Sequence, residues 1–417
     1  MTGLTMTEKI LARHAGRDSV RPGDIVVTSV DTVVPLDMNF YDSMWAEPTK
    51  VFDPDRVVVI FDHVVPAPSR QVGEALERGR AFAAKHGITR VHDVGPEQGI
   101  CHQLIADVPY AMPGELLVCV DSHTCSGGAL NCAARGIGAP ELIYTMAKGV
   151  TWFQVGETVR YELTGTLSPY VAAKDVFLHL ADHYGAHVGQ NIEFGGPALS
   201  TLTLDQRRTL TTMCAEVSAE FAIAEPDDVL RAHLEARGRT MDGAVYPDAD
   251  AEYHAVRTLD LSEVEPRVGL PGSVVHHTAG VRSVRGTRIN RAFIGSCANG
   301  TIADLREAAA VLSGRKVASG VTLFVTPGSQ AIYRQAVHEG LVATLTDAGA
   351  VVTVSSCGMC AGFQNSLGPE DVCIASSTRN FAGRMGHPDA QIYLASSGTV
   401  AASAVAGAIA DIREFQE

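Results

Sequence analysis

Aromatic residues are scarce in this chain, at 6% with only two tryptophans, and several features that mark other protein classes are missing altogether. No apolar run approaches the roughly 18 residues needed to cross a bilayer. The opening "MTGLTMTEKILARHAGRDSV" lacks the apolar segment of a secretory signal, so a cytoplasmic setting is expected. Lys and Arg form no cluster, and the formal net charge is −14, which argues against nucleic acid as a partner. It leaves small anions open, because a few local arginines can bind those. No internal repeat appears at solenoid or propeller periods, and no low-complexity tail is present.

What is present is an ordinary core-forming composition, 46% hydrophobic over 417 residues, enough for two or three domains. The 40 glycines are spread along the chain, as the tight turns of an α/β protein require. Short β-branched runs such as "VVVIFDHVVP", "ELLVCVDSHT", "VTLFVTP", "VVTVSSC" and "VCIASSTRN" each end in polar residues. Strands that stop this way place polar groups at the carboxyl edge of a sheet, where α/β folds bind ligands. Between them, "SRQVGEALERGRAFAAKHG", "DQRRTLTTMCAEVSAEF" (205–221) and "ADLREAAAVLSG" carry helical spacing. The fold class expected is therefore α/β. A break near 150–160 and an aperiodic, proline- and glycine-bearing linker candidate at 258–285 divide the chain into 1–155, 156–262 and 263–417.

Nine cysteines, an odd number, fit buried thiols or metal ligands better than disulfides in this setting. Cys357 and Cys360 form a CxxC, and Cys297 lies sixty positions upstream between Gly295 and Gly300, also after a strand. Three thiolates without a nearby histidine favour iron and sulfur, while zinc, a redox dithiol and plain buried cysteines stay open on spacing alone. Earlier strand ends carry Asp62 with His63 and Asp121 with His123, and His102 sits on the approach to the second. Carboxylate beside imidazole suits proton transfer near neutral pH; each histidine alone reads better as a solvated loop residue, and three together at strand ends change that balance. Arg379 and Arg384, five positions apart among small residues, suit a grip on a substrate with more than one carboxylate. Cys101, Cys119, Cys132, Cys214 and Cys373 read as core, and Cys125 stands directly after "DSHT".

In the order "FDHVVPA", "GICHQL", "DSHT", "GIGAPEL", "AKDVFLHL", "IEFGG", "FIGSCANG", "GRKVASGV", "TPGSQ", "CGMCAG" and "RNFAGR", the chain resembles the large subunit of the aconitase and isopropylmalate dehydratase superfamily. The resemblance implies three layered α/β/α domains around a central cleft that binds a 4Fe-4S cluster on Cys297, Cys357 and Cys360. It also implies pairs of Asp62 with His63, Asp121 with His102 and Glu216 with His123, with Arg379 and Arg384 at the substrate. The implied activity is that of a hydro-lyase acting on a 2-hydroxy di- or tricarboxylic acid, by dehydration and then rehydration at the neighbouring carbon. The family's proton-abstracting serine lies in a "GSSRE"-type segment on a separate swivelling domain, and no such segment occurs here. A small subunit is therefore expected as partner, in a heterodimer.

Three departures bear on substrate. Thr378 and Thr212 stand where relatives carry asparagines, and Leu36 stands where a polar amide is expected. These point to a specialised substituted malate, with aconitase-type, homoaconitase-type or dimethylmalate-like substrates as alternatives. A thiol-based metal or redox sensor would explain the cysteines alone, and an RNA-binding regulator conflicts with the −14 charge.

Overall fold

The computed structural model describes residues 3–415, and its strands change from one sheet system to the next between Gln154 and Glu157 and again between Asp260 and Arg267. The first system is fragmented. Leu116–Cys119 runs parallel between Thr32–Val34 and Ala133–Gly136, Val59–Ile60 pairs parallel with Val91–His92, and Ile25–Ser29 pairs antiparallel with Val150–Gln154. The second is a parallel four-stranded sheet ordered Ala222–Ala224, Gln190–Gly195, Glu157–Thr164, Ala255–Asp260. The third has seven strands, with Gln391–Leu394, Val372–Ala375, Arg291–Ile294, Thr322–Val325 and Val351–Val352 in parallel array. We propose 1–155, 156–262 and 263–417 as domains on these changeovers. Their cores are shared: one apolar cluster joins Tyr161 and Phe177 to Phe293 and Leu394, and another joins Val33 and Phe153 to Phe221 and Ile223.

The stretch 258–285 is not a free linker. It supplies Arg267–Gly269 and Thr278–Gly280 to one edge of the seven-stranded sheet, and Leu261, Val268 and Val281 are fully buried. Its lack of period reflects short edge strands joined by turns, each too short to show an alternation.

Helix Arg70–His86 shows how local sequence positions the site. Ser69 accepts from the Val72 amide, Gly87 closes the helix at φ 71°, and Val72, Ala75, Leu76, Gly79, Phe82 and Ala83 share the buried face. Burying Leu76 or Phe82 stabilises by about 1.5–3 kcal/mol each. Gly79 lies against Phe61, the residue before Asp62, and a Cβ there would come within 2.7 Å of that ring. No helix among the described residues is long and apolar enough to cross a membrane.

Candidate functional site

Asp62 and His63, Asp121 and His123, Cys297 and Arg379 follow the carboxyl ends of strands, whereas His102 lies on helix Cys101–Asp107. After Arg291–Ile294 the chain turns at Gly295 (φ 147°), where a Cβ would meet the Thr326 carbonyl at 2.7 Å, and Ser296 follows at a strained φ of 90°. That turn is pinned across the sheet, because the Gly295 amide donates to Ser376 Oγ at 2.9 Å. It presents Cys297, which is 3% exposed.

Cys357 arrives differently from the expected strand end. The strand stops at Val352, Thr353 still donates to the Val325 carbonyl, and from Ser355 on the polar groups are taken by the first region. The Cys357 amide and Ser356 Oγ donate to the Asp62 carbonyl at 2.7 and 2.9 Å, and Gln98 Nε2 donates to the Ser355 carbonyl at 2.9 Å. The thiol loop is thus tied directly to the Asp62–His63 turn.

Around these thiols the charges are arranged in pairs. Burial drives the Cys297 thiol well above its ordinary range, and the charges of Cys357 and Cys360 push it the same way. Burial also opposes ionisation of Cys360, but Arg384, whose Nη2 lies 3.6 Å from that sulfur, brings it below the ordinary thiol value. Lys174 is fully buried and donates to the carbonyls of Ser376 and Ser377 at 2.7 and 2.6 Å, beneath the same loops.

The imidazoles form one connected network centred on Asp121. His102 Nε2 is 2.9 Å from Asp121 Oδ1, His123 Nδ1 is 3.3 Å from the same oxygen, and His63 Nε2 is 3.4 Å from Oδ2. Burial would raise the Asp121 carboxyl, but hydrogen bonds to the three imidazoles hold it well below the usual range. The other ring nitrogen of His63 meets Asp62 Oδ1 at 2.8 Å, and His123 Nε2 meets Glu216 Oε1 at 2.8 Å. Burial disfavours charge on His63, yet the charges of Asp62 and Cys357 and the hydrogen bonds of Asp121 and Asp62 raise it well above 6.5. His123 is raised against burial by Asp121 and Glu216.

Glu216 lies beyond the α-helix expected to carry it. Helix Leu204–Met213 gives way to a single 3-10 turn, Cys214–Val217, and Ser218 at φ 63° ends the run, its amide donating to Ala215. This turn aims Glu216 at both His123 and Arg379. Arg379 donates from Nε to Glu216 Oε1 at 2.7 Å and from Nη2 to Ser122 Oγ at 2.6 Å.

Other positions fall elsewhere. Leu36 is fully buried in an apolar cluster with Val34, Ile60 and Cys101, so it offers no side chain to the site. Its neighbour Asp37 points to the site turn instead, and no period or motif singled that residue out. Thr212 and Thr378 are fully buried, and Thr212 Oγ1 has no hydrogen-bond partner. Cys125 donates toward the Thr212 carbonyl at 3.5 Å, and burial pushes its thiol up to about 12. Cys101, Cys119, Cys132, Cys214 and Cys373 are all buried free thiols.

A metal centre fits the thiol set. Ser355 Oγ, Ser377 Oγ, Asn299 Oδ1 and Arg384 Nε are buried without partners on the segments that carry the cysteines and Arg384, an arrangement suited to a polar group among them.

The structure brings three thiols, three carboxylate–imidazole pairs and two arginines together, residue types that suit an enzyme acting on carboxylic acids. The family model for the aconitase family (aconitate hydratase) matches residues 2–280 and 273–407. A 3-isopropylmalate dehydratase large subunit of Mycolicibacterium smegmatis is 49% identical over 413 residues, covering 99% of this chain and 97% of that one. Large subunits of the same description from Methanopyrus kandleri and Aquifex aeolicus are 39% and 38% identical, covering 99% and 98% of this chain and 100% and 96% of theirs. The chain belongs to the aconitase family, and it is a hydro-lyase. The crystal structure of Thermococcus kodakaraensis aconitase X superposes with a TM-score of 0.52 at 12% identity over 87% of both chains, a likeness of fold.

Proposed function

We propose that this chain is the cytoplasmic large subunit of a two-subunit enzyme that dehydrates 3-isopropylmalate or another substituted malate and rehydrates the alkene acid at the neighbouring carbon. The observation that carries the reading is the junction of the Cys357 loop with the Asp62–His63 turn, which brings three thiols against three carboxylate–imidazole pairs sharing Asp121. Cys297, Cys357 and Cys360 would hold a 4Fe-4S cluster, which when bound supplies a Lewis acid for the substrate's hydroxyl and carboxylate.

His63, placed between Asp62 and Asp121, gives a proton to the departing hydroxyl. His102 and His123, oriented by Asp121 and Glu216, hold the hydrogen-bonded water and hydroxyl in place. Arg379 spends two N–H groups on Glu216 and Ser122 and keeps others for a substrate carboxylate, while Arg384 steadies the Cys360 thiolate. No group in this network is placed as the base for the C–H proton, so the small subunit supplies it, as the serine that the family resemblance implies. Thr212 and Thr378 stand where the resemblance implies asparagines; both are buried, and Thr378 Oγ1 lies 4.0 Å from Cys360 Sγ, so a difference in substrate preference is read through the packing around that thiol.

Anaerobic reconstitution followed by assay with the small subunit tests the reading. The expected outcome is about four irons per chain, broad absorbance near 400 nm, and turnover of one malate only when both subunits are present. One zinc per chain with no turnover of 3-isopropylmalate, dimethylmalate, citrate or homocitrate would replace it with the thiol-protein reading.

A further inference from the structure

Asp37 is 1% exposed and lies on the 3-10 turn Asp37–Phe40, a separate element from the Asp62–His63 turn it touches. Its carboxylate accepts three successive backbone amides: Asp62 at 3.3 Å and His63 at 3.1 Å on Oδ1, and Val64 at 2.7 Å on Oδ2. Three consecutive N–H groups converging on one carboxylate form an anion nest, which fixes the backbone that makes it. The same Oδ1 stands 3.8 Å from His63 Nδ1, behind the 2.8 Å contact to Asp62. No other side chain among the described residues hydrogen-bonds all three amides.

We infer that Asp37 is a positioning residue for the proton-donating pair. It holds the turn so that His63 presents Nδ1 to Asp62 and Nε2 to Asp121, and it touches neither the thiols nor the proposed carboxylate-binding arginines. The inference rests on the reaction proposed above in so far as His63 is the donor. An asparagine at 37 keeps the shape but offers one acceptor oxygen, so one side of the nest fails. Mispositioning a proton donor by a fraction of an ångström costs turnover and leaves ground-state binding in place, because the substrate is gripped elsewhere.

Two measurements on the reconstituted two-subunit enzyme test this. In Asp37→Asn, kcat falls by about 10- to 100-fold while KM stays within about two-fold and iron per chain and the visible spectrum match the parent. In Asp37→Asn and Asp37→Ser, amide hydrogen exchange read by mass spectrometry accelerates by at least about ten-fold in the peptide containing 62–64, with peptides of the seven-stranded sheet unchanged. A kcat within two-fold of the parent at full iron content overturns the inference, as does a joint collapse of kcat, KM and iron loading, which would make Asp37 a scaffold residue only. The exchange result stands apart from turnover. Unchanged protection at 62–64 overturns the inference even in an active enzyme, and an inactive parent enzyme would strike the proposed reaction while leaving the positioning result readable.

Discussion

The thiols come from loops at the carboxyl edge of one continuous seven-stranded sheet, whereas His63 and His123 follow small sheets of two and three strands, His102 lies on helix Cys101–Asp107, and Glu216 comes from the region of the four-stranded sheet. A large parallel sheet fixes its strand ends by its own ladder, so Cys297 depends mainly on Gly295 and Ser376 beside it. The imidazole side has no such ladder, and its order comes from shared carboxylates: Asp37 on three amides, Asp62 on His63 and the Cys101 amide, and Asp121 on three histidines. Geometry set by a sheet tolerates loss of one side chain better than geometry set by a network of charges.

The sharpest break in this comparison is at the thiols. Cys360→Ala removes a proposed cluster ligand without disturbing the sheet, and iron per chain and turnover both fall to background while the melting temperature of the metal-free chain stays within about 4 °C. On the other side, His102→Ala keeps iron per chain at the parent level and lowers kcat by about 10²- to 10⁴-fold, read by steady-state kinetics on the loaded enzyme. If His102→Ala also empties the iron, the two halves are one unit and the contrast fails.

Arg379→Lys sits between the halves. It loses the fork that joins Glu216 to Ser122, so KM for the dicarboxylate rises about ten-fold, with iron unchanged. Smallest is a control outside the imidazole network, the pair of His14 Nε2 and Asp31 Oδ2 at 2.6 Å. Burial opposes both charges, but each partner's hydrogen bond prevails, raising His14 above 6.5 and lowering Asp31 below 3.8. The histidine contribution is therefore complete below about pH 6.5 and fades as pH climbs through the raised value. The carboxylate contribution is complete above about pH 3.8 and fades as pH falls through the lowered value. Asp31→Asn should cost about 1 kcal/mol in urea melts between pH 4 and 6.5 and leave iron and turnover untouched.

Much of this was legible in the sequence, for a local reason. Strands ending in Asp, His, Ser or Cys announced a ligand-binding edge, and the motif order announced the family that the 49% identical relative also indicates. The run "SRQVGEALERGRAFAAKHG" carried helical spacing, and the helix spans Arg70–His86, with Ser69 and Gly87 as its caps. The linker at 258–285 failed because edge strands of three residues carry no readable period. Leu36 failed for a related reason: a strand end does not say which of two neighbours turns inward, and the apolar one went to the core while Asp37 took the site.

By itself the sequence determined the residue types and their order: three cysteines, the acid and imidazole pairs, two arginines and the α/β alternation, because caps, turns and strand periods act over a few residues. Only the tertiary structure decided that Asp121 serves three histidines, that a 3-10 turn swings Glu216 between His123 and Arg379, and that the Cys357 loop hydrogen-bonds the Asp62 carbonyl. Those contacts join residues tens to hundreds of positions apart, and which buried polar groups meet is settled by the packing of whole sheets, where an unpaired group costs more than any local preference can supply.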